Sequence, residues 1–155
     1  MISAGIITVS DKGSQGQRDD LSGPAIAEML AGAAIEIRHT IIIPDEKDQI
    51  RKTIIDCSDV KQLDLILTTG GTGVSPRDVT PDATLDVIDK QIPGMAEAMR
   101  HESMRVTPHA MISRAVAGIR GKSLILNLPG SPKSVRENLA VVLPALKHAI
   151  EKIKG

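Results

Sequence analysis

The segment Leu63-Asp64-Leu65-Ile66-Leu67-Thr68-Thr69-Gly70-Gly71-Thr72-Gly73 joins an apolar run to a cluster of glycines. A short apolar run that contains β-branched residues and is bounded by turn residues predicts a buried strand over residues 63–69. The glycines predict a sharp break, in which the backbone can approach a ligand and direct N–H groups at an anion. Taken alone, the same cluster also fits an ordinary tight turn.

Three further apolar runs predict strands at residues 4–9, 35–43 and 123–128. Because strands alternate with helical segments, we expect a three-layer α/β sandwich with a mostly parallel sheet, formed as a single domain over residues 1–155. The helices are predicted from Ser22 to about Ala33, after residues 44–46 to about residue 58, from Thr80 to about Gln91, over residues 95–104, and from Ser131 onward.

Helix-end signals make more specific predictions. Ser22, Thr80 and Ser131 each stand just before or beside a proline, and we expect them to be the N-caps of their helices. Pro144 should kink the last helix or divide it in two. The remaining expectations are a loop over residues 11–20, an interruption at residues 93–94, and either a short strand or a helix within residues 111–119.

The composition excludes several classes of function. The chain has 19 Lys and Arg and 19 Asp and Glu, so its formal net charge is zero. A general nucleic-acid-binding domain shows a basic excess, and nucleic acid is therefore not expected as a partner. Phe, Tyr and Trp are absent, which excludes aromatic platforms for base stacking. No apolar segment approaches the length of a transmembrane helix, so no membrane partner is expected.

Cys57 is the only cysteine, which excludes an intrachain disulfide and a cysteine-based zinc site. It follows Ile50 and Ile54 at i, i+4, i+7 spacing, which predicts a buried position on a helix rather than a reactive thiol. Residues 1–11 lack the basic region of a signal peptide, and a reduced cytoplasmic protein is the expected setting.

Polar or glycine-containing segments follow the predicted strands, at the edge of the sheet where α/β proteins bind ligands. Asp45 follows one strand and Asp78 lies in the loop after another, so the fold can bring the two carboxylates together. One or two carboxylates combined with substrate phosphates are the usual way to hold Mg²⁺. Arg77 and Asp78 also fit a solvated surface pair. The polar or glycine-containing segments that follow the predicted strands are four: Ser10-Asp11 and residues 44–46, 70–78 and 127–131.

Other motifs are ambiguous or absent. Gly130 and Ser131 form a turn at a predicted helix start close to Lys133, which fits either a phosphate site or a capped helix with an exposed lysine. Ser22 and Gly23, at another predicted helix start, likewise fit either a phosphate site or a capped helix. No Gly-Lys-Ser/Thr follows Gly73, which excludes a Walker A loop, and Pro76 stands where a dinucleotide fingerprint requires a glycine.

Taken together, these segments resemble the MoaB/Mog family of molybdenum-cofactor biosynthesis and the G domains of plant Cnx and gephyrin. The matches run in order along nearly the whole chain, and the run from Gly70 to Pro81 is the most specific. They comprise Thr8-Val9-Ser10-Asp11, Asp20-Leu21-Ser22-Gly23-Pro24, Ile43-Pro44-Asp45-Glu46, Thr68-Thr69-Gly70-Gly71-Thr72-Gly73, Pro76-Arg77-Asp78-Val79-Thr80-Pro81, Pro93-Gly94, Ser113-Arg114 and Leu126-Asn127-Leu128-Pro129-Gly130-Ser131-Pro132.

The resemblance implies a molybdopterin adenylyltransferase, a nucleotidyltransferase with ATP and molybdopterin as substrates and Mg²⁺ as cofactor. It implies a mixed sheet, a homotrimer, and contact with a metal-insertion enzyme of the same pathway. Asp45 and Asp78 would be the catalytic and Mg²⁺-binding residues. The implied nucleotide-binding residues are Ser10, Gly70, Gly71, Thr72, Gly73, Asn127, Pro129 and Gly130, and the implied molybdopterin-binding residues are Ser22, Gly23, Ser103 and Ser113.

Two other functions remain open at this level. The chain fits a non-catalytic protein that binds or carries molybdopterin, and also a phosphate-binding regulatory domain. The presence of both Asp45 and Asp78 favours the enzyme. Pyrophosphate release from ATP in the presence of molybdopterin distinguishes the enzyme from the carrier.

Overall fold

A six-stranded mixed sheet lies at the centre of the computed structural model, which describes residues 1–155. The strand order is β2-β1-β3-β6-β5-β4, in which β2, β1, β3 and β6 are parallel to one another and β5 alone runs in the opposite direction, antiparallel to both of its neighbours, β6 and β4. The expected three-layer sandwich with a mostly parallel sheet is confirmed. The strands are β1 (Ile2–Val9), β2 (Ile35–Ile43), β3 (Leu65–Thr69), β4 (Lys90–Gln91), β5 (Ala117–Arg120) and β6 (Ser123–Leu128).

Helices cover both faces of the sheet. They are α1 (Asp11–Ser14), α2 (Ser22–Gly32), α3 (Lys47–Ile55), α4 (Thr80–Val87), α5 (Pro93–Met104) and α6 (Pro132–Lys154). Helices α2, α5 and α6 pack on one face, and α3 and α4 pack on the other. A π-type turn over Asp56–Val60 extends α3, and a 3₁₀ turn over Pro108–Ile112 follows α5. None of the helices combines the length and apolar character that crossing a lipid bilayer requires.

Both faces of the central strands are buried, which explains why their sequences are apolar throughout. Side chains alternate between the faces of a strand, so Ala4 and Ile6 enter the core beneath α2 and α6, whereas Ile7 and Val9 enter the core beneath α3 and α4. Cys57 belongs to the second core and is fully buried, as its spacing predicts. Burial raises the pKa of the Cys57 thiol to about 11, so it is not a reactive thiolate at neutral pH.

The parallel strands end side by side, and this arrangement positions the site. β1 ends at Val9, β2 at Ile43, β3 at Thr69 and β6 at Leu128, and these ends all lie at one edge of the sheet. The polar segments that follow them therefore meet at that edge, as expected from the sequence.

Several predicted boundaries were wrong. Residues 11–14 of the expected loop form the single turn of α1. The helix that begins at Thr80 ends at Val87 rather than near Gln91, because Ile88 is extended and residues 90–91 pair with β5. Pro93 does not interrupt a helix but begins α5, since a proline fits the first turn. Pro144 does not divide α6, which is continuous from Pro132 to Lys154.

Two of the three expected N-caps were also wrong. Ser131 caps α6 by accepting a hydrogen bond from the Ser134 N–H at 3.2 Å. Ser22 instead lies in the first turn of α2, where the carboxylate of Asp20 accepts hydrogen bonds from the N–H groups of Ser22 and Gly23 at 3.1 and 2.9 Å. Thr80 lies in the first turn of α4, and its hydroxyl has no hydrogen-bond partner.

Candidate active site

A cleft of about 750 Å³ lies at the carboxyl edge of the parallel strands. Its walls come from the segments after β1, β2, β3 and β6, and they include both Asp45 and Asp78. The fold therefore brings together the two carboxylates that the sequence singled out, although they lie 33 positions apart in the chain.

Asp45 is held by reciprocal hydrogen bonds with Asp11. The Asp11 N–H donates to Asp45 Oδ2 at 2.9 Å, and the Asp45 N–H donates to Asp11 Oδ1 at 3.0 Å. Arg77 in turn fixes Asp11 through its Nε and Nη2 atoms, at 3.1 and 2.9 Å, and it also contacts Glu46 at 3.0 Å. Charge and backbone together therefore set the position of the Asp45 carboxylate.

Asp78 is held in a similar way by its own loop. The Ser75 N–H donates to Asp78 Oδ2 at 3.0 Å, and the Asp78 N–H donates to the Ser75 carbonyl at 2.9 Å. Each of the two aspartates thus has one carboxylate oxygen fixed by a backbone N–H. The other oxygen, Oδ1 in both cases, accepts no hydrogen bond from the protein.

This donor set suits a divalent cation that takes most of its ligands from substrate. Two half-buried carboxylates with free oxygens line one cleft, and no cluster of three or more His, Cys, Asp or Glu residues capable of holding a metal exists in the chain. Mg²⁺ is commonly bound by one or two carboxylates together with phosphate oxygens and water. Asp45 and Asp78 therefore fit Mg²⁺ when a phosphate-bearing substrate is present.

The electrostatics around Asp45 favour binding of a cation. Burial raises the pKa of the Asp45 carboxyl, and the negative charges of Asp11 and Asp78 raise it further. The hydrogen bond from the Asp11 N–H and the positive charge of Arg77 act in the opposite direction and lower this pKa. Ionisation of Asp45 is thus less favourable in the free protein than it is for an ordinary aspartate. A bound cation would relieve the repulsion among these carboxylates, so ionisation of Asp45 and cation binding favour each other.

The glycine loop presents unpaired backbone donors. The N–H groups of Gly71, Thr72 and Gly73 donate to no acceptor in the protein, and neither do those of Gly130 and Ser131. Gly70 and Gly71 have φ values of 100° and 66°, which disfavour residues with a Cβ atom. The loop therefore has free N–H donors and a backbone conformation that suits glycine, two features that an anion-binding turn requires.

Gly71 has no room for a side chain, and we expect Gly71→Ala to reduce Mg-ATP affinity at least about tenfold, or about 1.4 kcal/mol. A Cβ atom there would clash with Thr80 Oγ1, which must shift, and would lie 3.0 Å from Asp45 Oδ1, a contact tight enough to displace the carboxylate as well. Titration calorimetry with Mg-ATP measures the effect. Gly121→Ala is the matched control, because Gly121 has a similar φ of 55° but open space around it. Wild-type Mg-ATP affinity in both variants would show that the loop is only a turn.

A second cleft of about 510 Å³ adjoins the first. Residues Thr72 and Gly73 line it, and they directly follow Gly70 and Gly71 of the first cleft. Pro129 lines the second cleft and Gly130 the first. Two loops thus form a shared wall, and ligands in the two clefts would meet across it. The remaining lining comes from α5, the 3₁₀ turn and α6.

Arg114 anchors the loop that carries Asp78. Its Nε donates to the Gly73 carbonyl at 2.8 Å, and its Nη2 donates to the Asp78 carbonyl at 2.6 Å. The guanidinium also forms a two-pronged pair with the carboxylate of Asp82 on α4, at 3.1 and 3.0 Å. Arg114 lines neither cleft, so it acts on the site through the loop.

The structure divides the implied binding residues between the two clefts and leaves two of them outside both. The first cleft includes Ser10, Ser22, Gly70, Gly71 and Gly130, together with the two aspartates. The second cleft includes Thr72, Gly73, Ser103, Ser113 and Pro129. Neither cleft includes Gly23 or Asn127.

The side chain of Asn127, one of the implied nucleotide-binding residues, forms all its observed hydrogen bonds within the protein. It is fully buried in β6, where its side-chain N–H groups donate to the hydroxyls of Thr68 and Thr84 at 2.9 and 3.0 Å. Its side-chain oxygen accepts from the Val116 N–H at 3.2 Å. Gly23 lies beneath Asp20 in a separate groove beside α2. A Cβ atom on residue 23 would clash with the Asp20 carboxylate, which explains why this position requires a glycine.

Two cationic residues of the first cleft were not predicted from the sequence. Lys12 and Arg18 line this cleft, and neither forms a salt bridge. Unpaired cations at a cleft with free N–H groups favour an anionic ligand such as a polyphosphate. Little in the sequence indicates that Lys12 and Arg18 line a cleft, because a lysine and an arginine in a polar segment usually indicate only a solvated surface.

Comparisons with known proteins agree with this geometry. Residues 5–148 match the model of a family described as a probable molybdopterin binding domain. A molybdopterin adenylyltransferase of Helicobacter pylori (strain J99) is 47% identical over 99% of this chain and 89% of its own length. The molybdopterin adenylyltransferase of Escherichia coli K12 is 46% identical over 91% of this chain and 73% of its own length.

The fold is also that of a solved relative. The crystal structure of the molybdopterin biosynthesis enzyme MoaB from Thermus thermophilus superposes with a TM-score of 0.95. It has 52% sequence identity and covers 100% of this chain and 98% of the other. From the matched residues 5–148 and these identities, the chain belongs to the family of probable molybdopterin-binding domains.

Proposed function

We propose that this protein is a molybdopterin adenylyltransferase of molybdenum-cofactor biosynthesis, which transfers AMP from ATP to molybdopterin and releases pyrophosphate. The observation that carries the proposal is the pair of adjoining clefts that share the Gly70–Gly73 and 129–130 walls. One cleft holds two carboxylates, unpaired cations and free N–H groups. The relatives at 46–47% identity that are named molybdopterin adenylyltransferase support the same activity.

The first cleft has the groups that a triphosphate requires. Free N–H groups of Gly71 and Gly130 would receive phosphate oxygens, and Lys12 and Arg18 would balance their charge. Asp45 and Asp78 would hold Mg²⁺, which when bound would neutralise charge on the phosphate oxygens. We place ATP in this cleft, with its α-phosphate toward the shared wall.

The second cleft would take molybdopterin. Ser103 and Ser113 supply hydroxyls, and Arg100 and Lys133 supply positive charge near its walls. Since the chain has no aromatic residue, the pterin ring would lie against aliphatic side chains such as Val106 and Ile112 and against peptide planes. The terminal phosphate of molybdopterin would then approach the shared wall from the other side.

The reaction itself requires positioning and charge stabilisation rather than a covalent enzyme intermediate. A phosphate oxygen of molybdopterin attacks the α-phosphorus of ATP, a new P–O bond forms, and the bond to the leaving pyrophosphate breaks. Preorganised N–H donors contribute most when they face the oxygens on which charge develops. The loop N–H groups of Gly71, Thr72 and Gly73 lie at the wall where this charge would develop.

Pyrophosphate release tests the proposal. The purified protein, with ATP, Mg²⁺ and molybdopterin, should release one pyrophosphate for each adenylylated molybdopterin, and reactions without either substrate should release none. Binding of molybdopterin without release of pyrophosphate would contradict the enzyme and indicate the carrier function instead.

We also expect a homotrimer that acts in the cytoplasm, where ATP is available, and that passes its product to a metal-insertion enzyme. Large apolar side chains are exposed at Met104 and Met111, at the end of α5 and on the 3₁₀ turn, and neither of them lines the second cleft. Exposed apolar patches of this kind are typical of interfaces. Multi-angle light scattering should give three times the chain mass of 16.5 kDa. A monomer mass across a wide range of concentrations would contradict this assembly.

A further inference from the structure

The hydroxyl of Thr80 is buried and has no hydrogen-bond partner. Thr80 is 0% exposed, and its Oγ1 is the buried side-chain polar atom of the chain that lacks a partner. Native proteins rarely leave a buried hydroxyl unpaired, so such a group calls for a physical explanation. The main chain of Thr80 is fully paired: its N–H donates to the Gly71 carbonyl at 3.1 Å, and its carbonyl accepts from Thr84 Oγ1 at 2.8 Å.

The unpaired hydroxyl points toward the candidate active site. Thr80 Oγ1 and Asp45 Oδ1 both lie no more than 3.0 Å from the point where a Cβ atom on Gly71 would stand. Asp45 Oδ2 accepts from the Asp11 N–H, whereas Asp45 Oδ1 accepts from no group of the protein. An unpaired donor and an unpaired acceptor therefore face the same small gap, which exists because residue 71 is a glycine.

We propose that Thr80 is a further positioning residue, whose hydroxyl is unpaired in the ligand-free protein and, once Mg-ATP binds, donates a hydrogen bond to Asp45 Oδ1, directly or through one water molecule, and so fixes this carboxylate. The inference rests on the proposed function. The Asp11 N–H fixes one oxygen of Asp45, and the Thr80 hydroxyl would restrain the other. Carboxylates that ligate metals are commonly oriented by hydrogen bonds from protein groups that do not themselves contact the metal.

The test compares Thr80→Val with Thr80→Ser. Valine has the shape of threonine without the hydroxyl, and removing an unpaired buried hydroxyl should leave the thermal unfolding midpoint of the ligand-free protein unchanged or raise it. Mg-ATP affinity, measured by calorimetry, should nevertheless fall about tenfold, because a hydrogen bond to a charged group is lost. Turnover should fall at least as much. Thr80→Ser keeps the hydroxyl and should retain most of the affinity.

Thr84→Val is the matched control. Thr84 is also fully buried on α4, but its hydroxyl is paired with the Thr80 carbonyl and with Asn127 Nδ2. Its removal should lower the unfolding midpoint, because two buried groups lose their partner. Mg-ATP affinity of the folded Thr84→Val protein should be unchanged. The two threonines are thus expected to show opposite patterns of stability and binding.

Three results would overturn the inference. One is wild-type Mg-ATP affinity in Thr80→Val. Another is a loss of ligand-free stability in Thr80→Val equal to that in Thr84→Val, which would make Thr80 a structural residue. The third is a wild-type protein that binds no Mg-ATP, which would overturn the proposed function as well. A wild-type protein that turns over beside an unaffected Thr80→Val variant would overturn only the role of Thr80.

Discussion

Replacing either Asp45 or Asp78 with asparagine should lower the rate of pyrophosphate release at saturating substrates by at least about 100-fold, the scale of losing one electrostatic contact in the transition state. Asparagine preserves the shape of the side chain and the oxygen held by the backbone N–H, but it removes the charge. Both residues line one cleft, and each has a carboxylate oxygen that accepts no hydrogen bond from the protein, so each substitution should weaken the same proposed cation site.

The two aspartates should act as a unit. Residues that hold one group together show strongly non-additive losses, so the double variant should be little slower than the slower single variant. Excess Mg²⁺ should restore the single variants only in part, because each carboxylate also sets geometry. Near wild-type turnover in both single variants would contradict the metal assignment and favour the carrier function.

The loss of activity should not come from unfolding. The folded-state pKa of Asp45 is raised by burial and by the charges of Asp11 and Asp78. A carboxyl with a raised folded-state pKa favours folding below its unfolded pKa, and this contribution is lost as the pH rises through the folded pKa. At neutral pH, Asp45→Asn should therefore leave the free energy of unfolding unchanged or increase it, as measured by urea denaturation.

Asp86→Asn is a suitable control for these variants. Asp86 lies on α4 outside both clefts and pairs with Lys47 and Arg51 at the surface. Its removal takes away one carboxylate from the same region of the fold without touching the site. Turnover of Asp86→Asn should equal that of the wild type, and a 100-fold loss there would show that the assay responds to charge in general.

The sequence predicted the parts of the site that depend on backbone geometry. Glycines at 70 and 71 are required by positive φ angles and by close contacts, and this requirement is visible as a cluster in the sequence. Asp45 and Asp78 were found because each follows a strand, and parallel strands end at one edge. Local patterns of this kind predict which loops meet.

The sequence did not predict which polar side chains form their hydrogen bonds with other residues of the protein. Asn127 follows a buried run and stands beside the glycine turn, yet the strand alternation directs it into the core, where Thr68 and Thr84 satisfy it. Ser22 resembles an N-cap, but Asp20 supplies the capping oxygens, and the Ser22 hydroxyl instead donates to the Gly130 carbonyl at 2.6 Å. Such assignments depend on contacts between distant segments, which spacing along one chain does not encode.

Arg114 is the clearest residue of this type, and its replacement carries the second large expected effect. In the sequence it is one arginine in a segment of undecided structure. In the fold its guanidinium ties the carbonyls of Gly73 and Asp78 to the carboxylate of Asp82. The loop between those carbonyls ends at Asp78, the proposed catalytic residue, and contributes to the walls of both clefts.

Arg114→Met should therefore reduce turnover by about 100-fold, the scale expected when reacting groups are misplaced by about 1 Å. Methionine keeps much of the side chain's apolar stem but removes every donor. Arg114→Lys should recover little, since a lysine cannot reach two carbonyls and a carboxylate with one planar fork. Pyrophosphate release measures the loss, and amide hydrogen exchange of residues 73–78 should become faster in the same variants.

Arg120→Met separates anchoring of this loop from general stability. Arg120 makes the same kind of contacts, with two hydrogen bonds to Asp59 at 3.0 and 2.7 Å and one to the Val87 carbonyl at 2.8 Å. It lies on β5, away from both clefts, so its loss should lower the free energy of unfolding by about as much as Arg114→Met but leave turnover unchanged. The difference between the two variants isolates the effect of the loop, because the number and type of lost hydrogen bonds are nearly matched. Equal turnover in the two folded proteins would mean that Asp78 holds its position without Arg114, through the hydrogen bonds to Ser75 alone.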